Sequence, residues 1–498
     1  MINTVVEQFP ALIVTTGVFS AFTILILGLL SRKICYYIVL IVTAFHFILS
    51  IFTLQHVLTK GRIHYWFGGW RPPWGIEYVV DELNAYSLIV ILFLGLLGII
   101  FAKRSVEKEI EERKLPTFYT VMQLLISGCC GVVVTGDVFN LFVLAEVASL
   151  STYALIAIAG GKALRASYNY LILGSIAICF YLLGIGFLYA VTGTLNMIDM
   201  RIILQNLYEN KMVHVGFVLV LVGLGIKAAV FPLHTWQPDA YTYAPSAVTL
   251  IMSTVVAKTF VYALIRLIFS VFTVNFLELY INAWNLVPWL MGVAIIVASI
   301  LAYRQNNIKR MLAYSSIVNV AYIVLGISFF NSQWSLSGAL VNILNHAVAK
   351  GCAFAAVGAI VYKTGIKDVG ALAGLANKMP YTSGALLISM LTLIGIPPSA
   401  GFVTKFYLAI GCLEMQNYLM LAIILLGTLL TLAYFLRVIE QLYFREGNST
   451  QKEEVPFSML APTMFLAILC LAIGIFWLTG IPLEFLKKSI TSMGVIFR

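Results

Sequence analysis

Charged residues are scarce in this chain: Asp, Glu, Lys and Arg make up only 10% of its 498 residues, whereas hydrophobic residues make up 61%. The mean hydropathy is accordingly high, at +0.97. The longest polar stretches, residues 57–82, 103–116 and 441–456, are each too short to fold as a soluble domain. The composition therefore excludes a separate catalytic head and indicates an all-α polytopic membrane protein.

The chain also lacks motifs for binding metals or cofactors. Its seven cysteines contain no C-x-x-C pair, which argues against an iron–sulfur or zinc site. Its histidines show no metal-ligand spacing, and no nucleotide-binding loop is present. We therefore predict no metal centre and no cofactor. The net charge of +10 reflects basic loops and gives no indication of nucleic-acid binding.

About fourteen segments are long and apolar enough to cross a bilayer, which takes roughly 20 apolar residues. Their centres lie near residues 20, 46, 92, 126, 148, 180, 222, 258, 295, 320, 350, 395, 427 and 468. No basic stretch precedes the first apolar run, so we expect a retained helix and not a cleaved signal peptide. With fourteen spans, one set of alternating loops holds 18 of the 31 basic residues. Since cytoplasmic loops carry the excess of Lys and Arg, both termini are predicted to lie outside the cytoplasm.

Five charged residues lie near the centres of apolar spans: Glu146, Lys227, Lys258, Lys350 and Lys405. A charge at the bilayer centre costs roughly 2.5 to 3.5 kcal/mol, so such residues usually face protein or water and mark an ion or proton route. Ion pairs that only fix helix packing are the alternative. Five such residues favour the route, and the sequence predicts a cation or proton translocator.

Proline interrupts two of the apolar spans. The span GLGIKAAVFPLHTWQPDAYTYAPSA is predicted to stop at Pro232, and the span LTLIGIPPSAGFVTKFYL at Pro397 and Pro398, because proline breaks the helical hydrogen-bond ladder. Paired broken helices point to an ion path, since unwound backbone supplies dipoles at membrane depth. Kinks that serve packing alone are the alternative. However, Lys227 lies just before one break and Lys405 just after the other.

Five runs in order resemble the antiporter-like subunits of respiratory complex I and of Mrp-type cation/proton antiporters. They are GDVFNLFVLAEVASLSTYALIA (136–157), GIKAAVFPLHTWQPDAYTYAPSAVTLIMSTVVAKTFVYALIRL (225–267), IKRMLAYSSIVNVAYIVLGI (308–327), NHAVAKGCAFAAVGAIVYKTG (345–365) and GIPPSAGFVTKFYL (395–408). The run LYAVTGTLNMIDM (188–200) is most similar to the Mrp D subunit and its relatives in membrane-bound hydrogenases.

The resemblance implies about fourteen transmembrane helices that include two inverted five-helix repeats, each with a broken helix. It divides the chain into residues 1–116 (helices one to three), 117–270 (first repeat), 284–440 (second repeat) and 441–498 (a loop and the last helix). It assigns proton translocation to Glu146, Lys227, Lys258, His346, Lys350 and Lys405. These match, in order, the family's helix-five glutamate, helix-seven lysine, helix-eight ionisable position, helix-eleven polar pair and helix-twelve lysine.

Two further residues are expected to act in proton uptake or gating. Asp137 lies near the membrane edge, where a simple helix N-cap is the alternative interpretation. His234 falls in the stretch PLHTWQPDA at the first break, where the family has P-x-H-x-W.

Three functions remain open. The first, which we favour, is the proton-translocating subunit of a multisubunit Na⁺/H⁺ antiporter in the plasma membrane of a prokaryote. The second is a proton- or sodium-pumping subunit of a redox complex related to complex I or to membrane-bound hydrogenases, which leaves open whether the chain is part of an enzyme. Both require other membrane subunits, because the chain has no energy input of its own. The third, a self-contained carrier of an organic solute, lacks binding groups for that solute. The interior lysines also suit a route for protons better than one for sodium ions, because sodium prefers oxygen ligands.

Overall fold

The computed structural model describes residues 5–446, 452–479, 483–492 and 495, so residues 447–451 of the predicted C-terminal loop lie outside the described part. The described part consists almost entirely of helices. In chain order they are α1 (Phe9–Gly28), α2 (Arg32–Lys60), α3 (Glu82–Glu109), α4 (Leu115–Val134), α5 (Val138–Ala157), α6 (Lys162–Thr192), α7 (Met197–Leu204), α8 (Lys211–Lys227), α9 (Gln237–Tyr243), α10 (Ser246–Tyr280), α11 (Val287–Tyr303), α12 (Ile308–Ser328), α13 (Gln333–Thr364), α14 (Leu375–Lys378), α15 (Pro380–Ile394), α16 (Ala400–Glu414), α17 (Tyr418–Ile439), α18 (Phe457–Leu478) and α19 (Leu483–Ser492).

Twelve helical segments of the described residues are long and apolar enough to cross a membrane. This confirms the predicted class, an all-helical polytopic membrane protein. The predicted centre near residue 222 falls on a shorter helix, α8 with 17 residues, and the centre near 395 falls at the end of another, α15 with 15. Each is followed by an irregular linker and a second short helix, α9 and α16 respectively. The structure therefore contains the two broken helices that the sequence predicted.

Connections between successive spans alternate between two ends of the helix bundle. One end, the hairpin face, carries the strands β1 (Ile63–Trp66) and β2 (Glu77–Val80), which pair antiparallel with Ile63 opposite Val80. Two bridges, Tyr78 to Thr135 and Asp137 to Asn196, join further loops at this end. The opposite end, the basic face, includes residues 110–114, 158–161, 304–307 and 365–379, and a bridge from Asn307 to Asp368 joins two of its loops.

Glu77 fixes the hairpin to the bundle. Its Oε1 accepts hydrogen bonds from His64 Nδ1 at 2.8 Å and Trp66 Nε1 at 3.0 Å, and its Oε2 accepts one from Asn196 Nδ2 at 2.7 Å. Burial raises the pKa of Glu77, but these three donors outweigh it and hold the pKa below its ordinary value. The ionised carboxylate therefore contributes to the folded state at neutral pH.

A buried ion pair lies beside the hairpin. Asp81 Oδ1 caps α3 by accepting from the backbone N–H groups of Leu83 and Asn84, and its Oδ2 lies 2.6 Å from Arg266 Nη1 of α10. The pair thus links the start of α3 to α10 at the hairpin face.

The most buried helices occupy the centre of the bundle. For α12 and α13, 94% of the most apolar segment is buried, compared with 33% for α2 and α6. Polar side chains on α12 and α13 are consequently surrounded by protein, whereas α2 and α6 present much of their surface outward.

Candidate functional site

The first broken helix ends at Lys227, before the proline that was predicted to stop it. Beyond Lys227, Ala229 has a φ of 54° and the Val230 N–H donates to Gly225 O at 2.9 Å, which turns the chain out of the helix. Pro232 lies within the linker, and α9 begins at Gln237. The prediction that the helix stops at Pro232 is therefore wrong in position, because the left-handed turn at Ala229 ends the helix first.

The second broken helix also ends before its prolines. Its last residue is Ile394, and Gly395, with a φ of 89°, takes the left-handed position that commonly terminates helices. Pro397 and Pro398 lie in the linker before α16. Lys405 Nζ on α16 reaches back and donates to the carbonyl of Ile394 at 2.8 Å. A lysine is therefore located at each break, as the sequence predicted.

Glu146 and Lys227 form an ion pair. Lys227 Nζ lies 3.0 Å from Glu146 Oε1 and donates to Ser149 Oγ at 2.7 Å and to the Tyr153 hydroxyl at 3.2 Å. The lysine side chain is 1% exposed and the glutamate side chain 24%. The ammonium thus lies inside the protein, while its carboxylate partner is partly exposed.

A ring stack supports this pair from the side of the first break. Tyr153 packs edge-on against Tyr170 with ring centroids 4.6 Å apart, and Tyr170 stacks on Trp236 at 3.7 Å. Trp236 Nε1 in turn donates to Ile226 O at 2.8 Å, at the end of α8. Tyr153 also packs closely against Gly174 of α6, where an added Cβ would lie 1.8 Å from the Tyr153 hydroxyl oxygen.

Lys258 and His346 form a second direct contact. Lys258 Nζ lies 3.1 Å from His346 Nδ1 and donates to Ser253 O at 2.7 Å. Ser253 belongs to a π-helical segment of α10, Met252–Val256, whose extra residue reorients the backbone just before Lys258. Both side chains are buried, and His346 Nε2 has no hydrogen-bond partner among the described residues.

Lys350 lies one turn beyond His346 on α13 and is fully buried. Its Nζ donates to the carbonyl of Leu312 on α12 at 2.8 Å. The two residues therefore share a helix face, as predicted, but they bind different neighbours.

A small polar cavity separates His346 from Lys405. Its volume is about 10 Å³, which is room for about one water molecule. Asn345 closes one side by donating from Nδ2 to Ala400 O at 2.6 Å and to Thr404 Oγ1 at 2.9 Å. The lining comprises Asn319, Tyr322, Asn342, Asn345, His346, Ala349, Thr392, Leu393, Gly401, Thr404 and Lys405. A bound water there could bridge the histidine and the lysine.

The other two predicted residues lie apart from these contacts. Asp137 is the N-cap of α5 and accepts from the Asn140 N–H at 2.6 Å, which confirms the capping interpretation. Burial raises the pKa of Asp137, and hydrogen bonds from the backbone of Asn140 and Phe139 partly offset this. His234 stacks on Phe231 in the first linker, and its Nδ1 has no partner among the described residues. Neither side chain is within direct hydrogen-bonding contact of the six residues assigned to proton translocation, all of which the structure describes.

Sequence reasoning missed several polar residues of the interior. Ser149 and Tyr153 follow Glu146 at one and two helical turns, and this spacing could have identified them as neighbours on the same face. Lys309 was not among the candidate residues, but it is buried and donates to Ala244 O at 2.7 Å. Arg266 was not a candidate either, and it is buried against Asp81.

Broken membrane helices and an interior row of ionisable side chains together define an antiporter-like, ion-translocating membrane protein. We call Glu146, Lys227, Lys258, His346, Lys350 and Lys405 the ionisable row. The family described as NADH:quinone oxidoreductase/Mrp antiporter, TM, matches residues 135–431. The chain belongs to this family, which confirms the resemblance found in the sequence.

Two curated relatives represent two kinds of complex. The N subunit of NADH-quinone oxidoreductase from Desulforudis audaxviator (strain MP104C) is 39% identical over 438 residues, covering 85% of this chain and 87% of that protein. The D subunit of a Na⁺/H⁺ antiporter from Bacillus subtilis (strain 168) is 30% identical over 436 residues, covering 87% of each.

Solved structures share the whole fold. The membrane-bound sulfane sulfur reductase, an archaeal respiratory membrane complex, contains a chain that is 29% identical, with a TM-score of 0.89 and 98% of both chains covered. A chain of the Mrp complex from Dietzia sp. DQ12-45-1b is 24% identical, with a TM-score of 0.88 and the same coverage, and shows the fold alone. These structural neighbours are subunits of multisubunit membrane complexes.

Proposed function

We propose that this chain conducts protons through the membrane along the ionisable row. The observation that carries the proposal is the arrangement of the row as two direct contacts, Glu146 to Lys227 at 3.0 Å and Lys258 to His346 at 3.1 Å. A cavity with room for about one water then leads to Lys405. Neighbouring groups that can gain and lose protons, linked by hydrogen bonds or water, are what a relay requires.

The Glu146–Lys227 pair would act as the switch of the relay. In a buried site the carboxylate stabilises the ammonium form of Lys227. Movement of Glu146 away from the lysine removes this stabilisation and favours release of a proton, while Ser149 and Tyr153 keep the amine in position. Since Glu146 is the partly exposed partner, it is the member of the pair with room to move.

Lys227 and Lys258 have no direct contact in the structure. No side-chain hydrogen bond among the described residues joins Lys227 to Lys258, and the ring of Phe260 lies 6.0 Å from Lys227 Nζ. Proton transfer across this interval requires water to enter beside Phe260. The interval is therefore the step at which conduction would be controlled.

The two ends of the row support association with other subunits. Glu146 and Lys405 are both only partly buried, whereas the four residues between them are buried. A charged group facing lipid is costly, so these ends would be covered by partner subunits or reached by water. The broken pairs α8–α9 and α15–α16 each supply one lysine of the row. One such pair in each half of the chain supports two inverted repeats, at residues 117–270 and 284–440. Counting each broken pair as one span gives the fourteen spans of this proposal. We also propose that the chain lies in the plasma membrane of a prokaryote, with both termini outside the cytoplasm.

Two settings for this activity have support. The Na⁺/H⁺ antiporter setting is supported by 30% identity to a D subunit and by the run at 188–200. The redox-driven setting is supported by 39% identity to an N subunit and 29% identity to a chain of a respiratory membrane complex. The ionisable row serves protons in either setting, and the energy source comes from the partners.

Proton transport by the complete native complex in everted membrane vesicles tests the proposal. Wild type is compared with Lys227→Ala and Lys258→Ala, first with a sodium gradient and then with an electron donor. The exposed Lys33→Ala variant removes one lysine away from the row and serves as the control. If wild type transports protons with the sodium gradient and both row variants lose that transport, the antiporter is supported. If wild type transports protons only with the electron donor and both row variants lose that transport, the redox pump is supported. Wild-type transport in both row variants would reject the row.

A further inference from the structure

A cavity of about 270 Å³ lies at the basic face, apart from the ionisable row. It is bounded by the end of α3, the α5–α6 turn, the α9–α10 junction and the start of α12. Its charged lining residues are Glu109, Lys162, Lys309 and Lys367. The space is far larger than the roughly 10–15 Å³ that one water needs, so it admits a polar group of several atoms.

The charge of this cavity favours an anion. None of its three lysines forms an ion pair within the described residues, since the lysines that do so there lie elsewhere in the chain. The only carboxylate in the lining, Glu109, already accepts from the Ser246 N–H at 2.8 Å and from Ser105 Oγ at 2.7 Å. The surplus of positive charge repels cations, so the cavity is not a cation vestibule.

Two buried polar groups point to a missing ligand. Lys309 is 3% exposed, and its hydrogen bond to Ala244 O at 2.7 Å uses one of the three donors of the ammonium group. Ser246 Oγ is buried without any partner among the described residues, although Ser246 lines the cavity and is 2% exposed. Lys162 opens α6, where the positive end of the helix dipole adds to the attraction for an anion. Oxygen atoms of a phosphate group could satisfy all of these donors.

We propose that this cavity binds the phosphate group of an anionic phospholipid. Its position at one end of the membrane helices is the level of lipid headgroups, and basic pockets between transmembrane helices bind such headgroups. Lys309 at the start of α12 already bonds to the Ala244 carbonyl at the α9–α10 junction. A phosphate bound by Lys309 and Ser246 would add a second contact between residues 117–270 and 284–440. The site is thus a lipid contact that holds the two halves of the chain together beside the first broken helix.

The test is lipid binding to the complete native complex in detergent, measured by native mass spectrometry during titration. The ligands are short-chain phosphatidylglycerol, short-chain phosphatidylcholine and inorganic phosphate. The cavity variant is Lys162→Gln/Lys367→Gln, since both lysines are exposed and their loss leaves the buried Lys309 in place. Lys33→Gln/Lys452→Gln removes the same charge from exposed positions outside the cavity, and Lys162→Arg/Lys367→Arg keeps the charge.

We expect the cavity variant to bind phosphatidylglycerol about 30-fold more weakly than wild type, roughly fivefold for each lysine. Both the exposed-lysine control and the arginine variant should retain the wild-type affinity, and phosphatidylcholine should bind less tightly. Inorganic phosphate that binds wild type and binds the cavity variant more weakly, while phosphatidylglycerol binds both equally, would show a site for free phosphate and reject the lipid. Equal phosphatidylglycerol binding in wild type and cavity variant would overturn the proposal.

Discussion

Replacing Glu146 by Gln tests the switch most directly, because the amide keeps the size of the side chain and an oxygen that can accept from Lys227. At 3.0 Å and an effective dielectric constant of about 20, the attraction within the pair is about 5.5 kcal/mol. The glutamate side chain is 24% exposed, so water screens part of this attraction. We expect Glu146→Gln to weaken the interaction with Lys227 by about 2 to 3 kcal/mol. The corresponding decrease in proton transport is about 30-fold or more.

A surface pair with nearly the same geometry provides the control. Arg104 Nη1 lies 3.1 Å from Glu107 Oε2, but the two side chains are 52% and 45% exposed, so this pair contributes less than about 0.5 kcal/mol. We expect Glu107→Gln to transport protons like wild type in everted vesicles that contain the complete complex, with rates normalised to the amount of chain. Wild-type transport in Glu146→Gln, or an equal loss in both variants, would refute the reasoning.

Two further outcomes follow from close contacts elsewhere. Gly174→Ala should displace Tyr153 from Lys227 and slow proton transport roughly tenfold, since a hydrogen bond to a charged group is lost. The control is Gly186→Ala on the same helix, where an added Cβ meets nothing within 4 Å and transport should stay at the wild-type rate. Equal rates in both variants would contradict a positioning role for Tyr153. For Glu77, whose pKa lies below its ordinary value of 4.5, the stabilisation is present above that value and is lost as pH falls through the folded-state pKa. The Tm difference between wild type and Glu77→Gln should therefore shrink between pH 7 and pH 4, and a difference independent of pH would contradict the role of its charge.

Local features of the sequence were sufficient to predict the class of fold and the charges of the row. Apolar length identifies a span without knowledge of its neighbours. Glu146 and Lys227 stand out because each is a charge within such a span, and the structure places them in contact at 3.0 Å. The breaks were found through Pro232, Pro397 and Pro398, but the helices end earlier. The ends depend on backbone turns at Ala229 and Gly395, and a turn at alanine leaves no signal in composition.

Contacts between distant helices could not be predicted in this way. The Lys258–His346 contact joins α10 to α13, and it depends on the π-helical segment Met252–Val256, which contains neither proline nor glycine. Lys309 and Arg266 were not recognised as buried, because each is near the end of an apolar run. Their burial results from the packing of α9–α10 and α3 over those ends, which the hydropathy of a single segment does not report.

Interrupted helices explain how the interior accommodates two of its lysines, Lys258 and Lys405, without carboxylate partners. An intact helix uses its carbonyl groups internally, but a helix end or a π-helical segment leaves carbonyl oxygens that can accept from an ammonium group. Lys405 binds the carbonyl of Ile394 at the end of α15, and Lys258 binds that of Ser253 in the π-helical segment. These dipoles solvate a lysine without binding it as strongly as a carboxylate would, so the proton can leave again. Lysines held in this way, as Lys258 and Lys405 are, are therefore better suited to passing protons on than lysines in tight ion pairs.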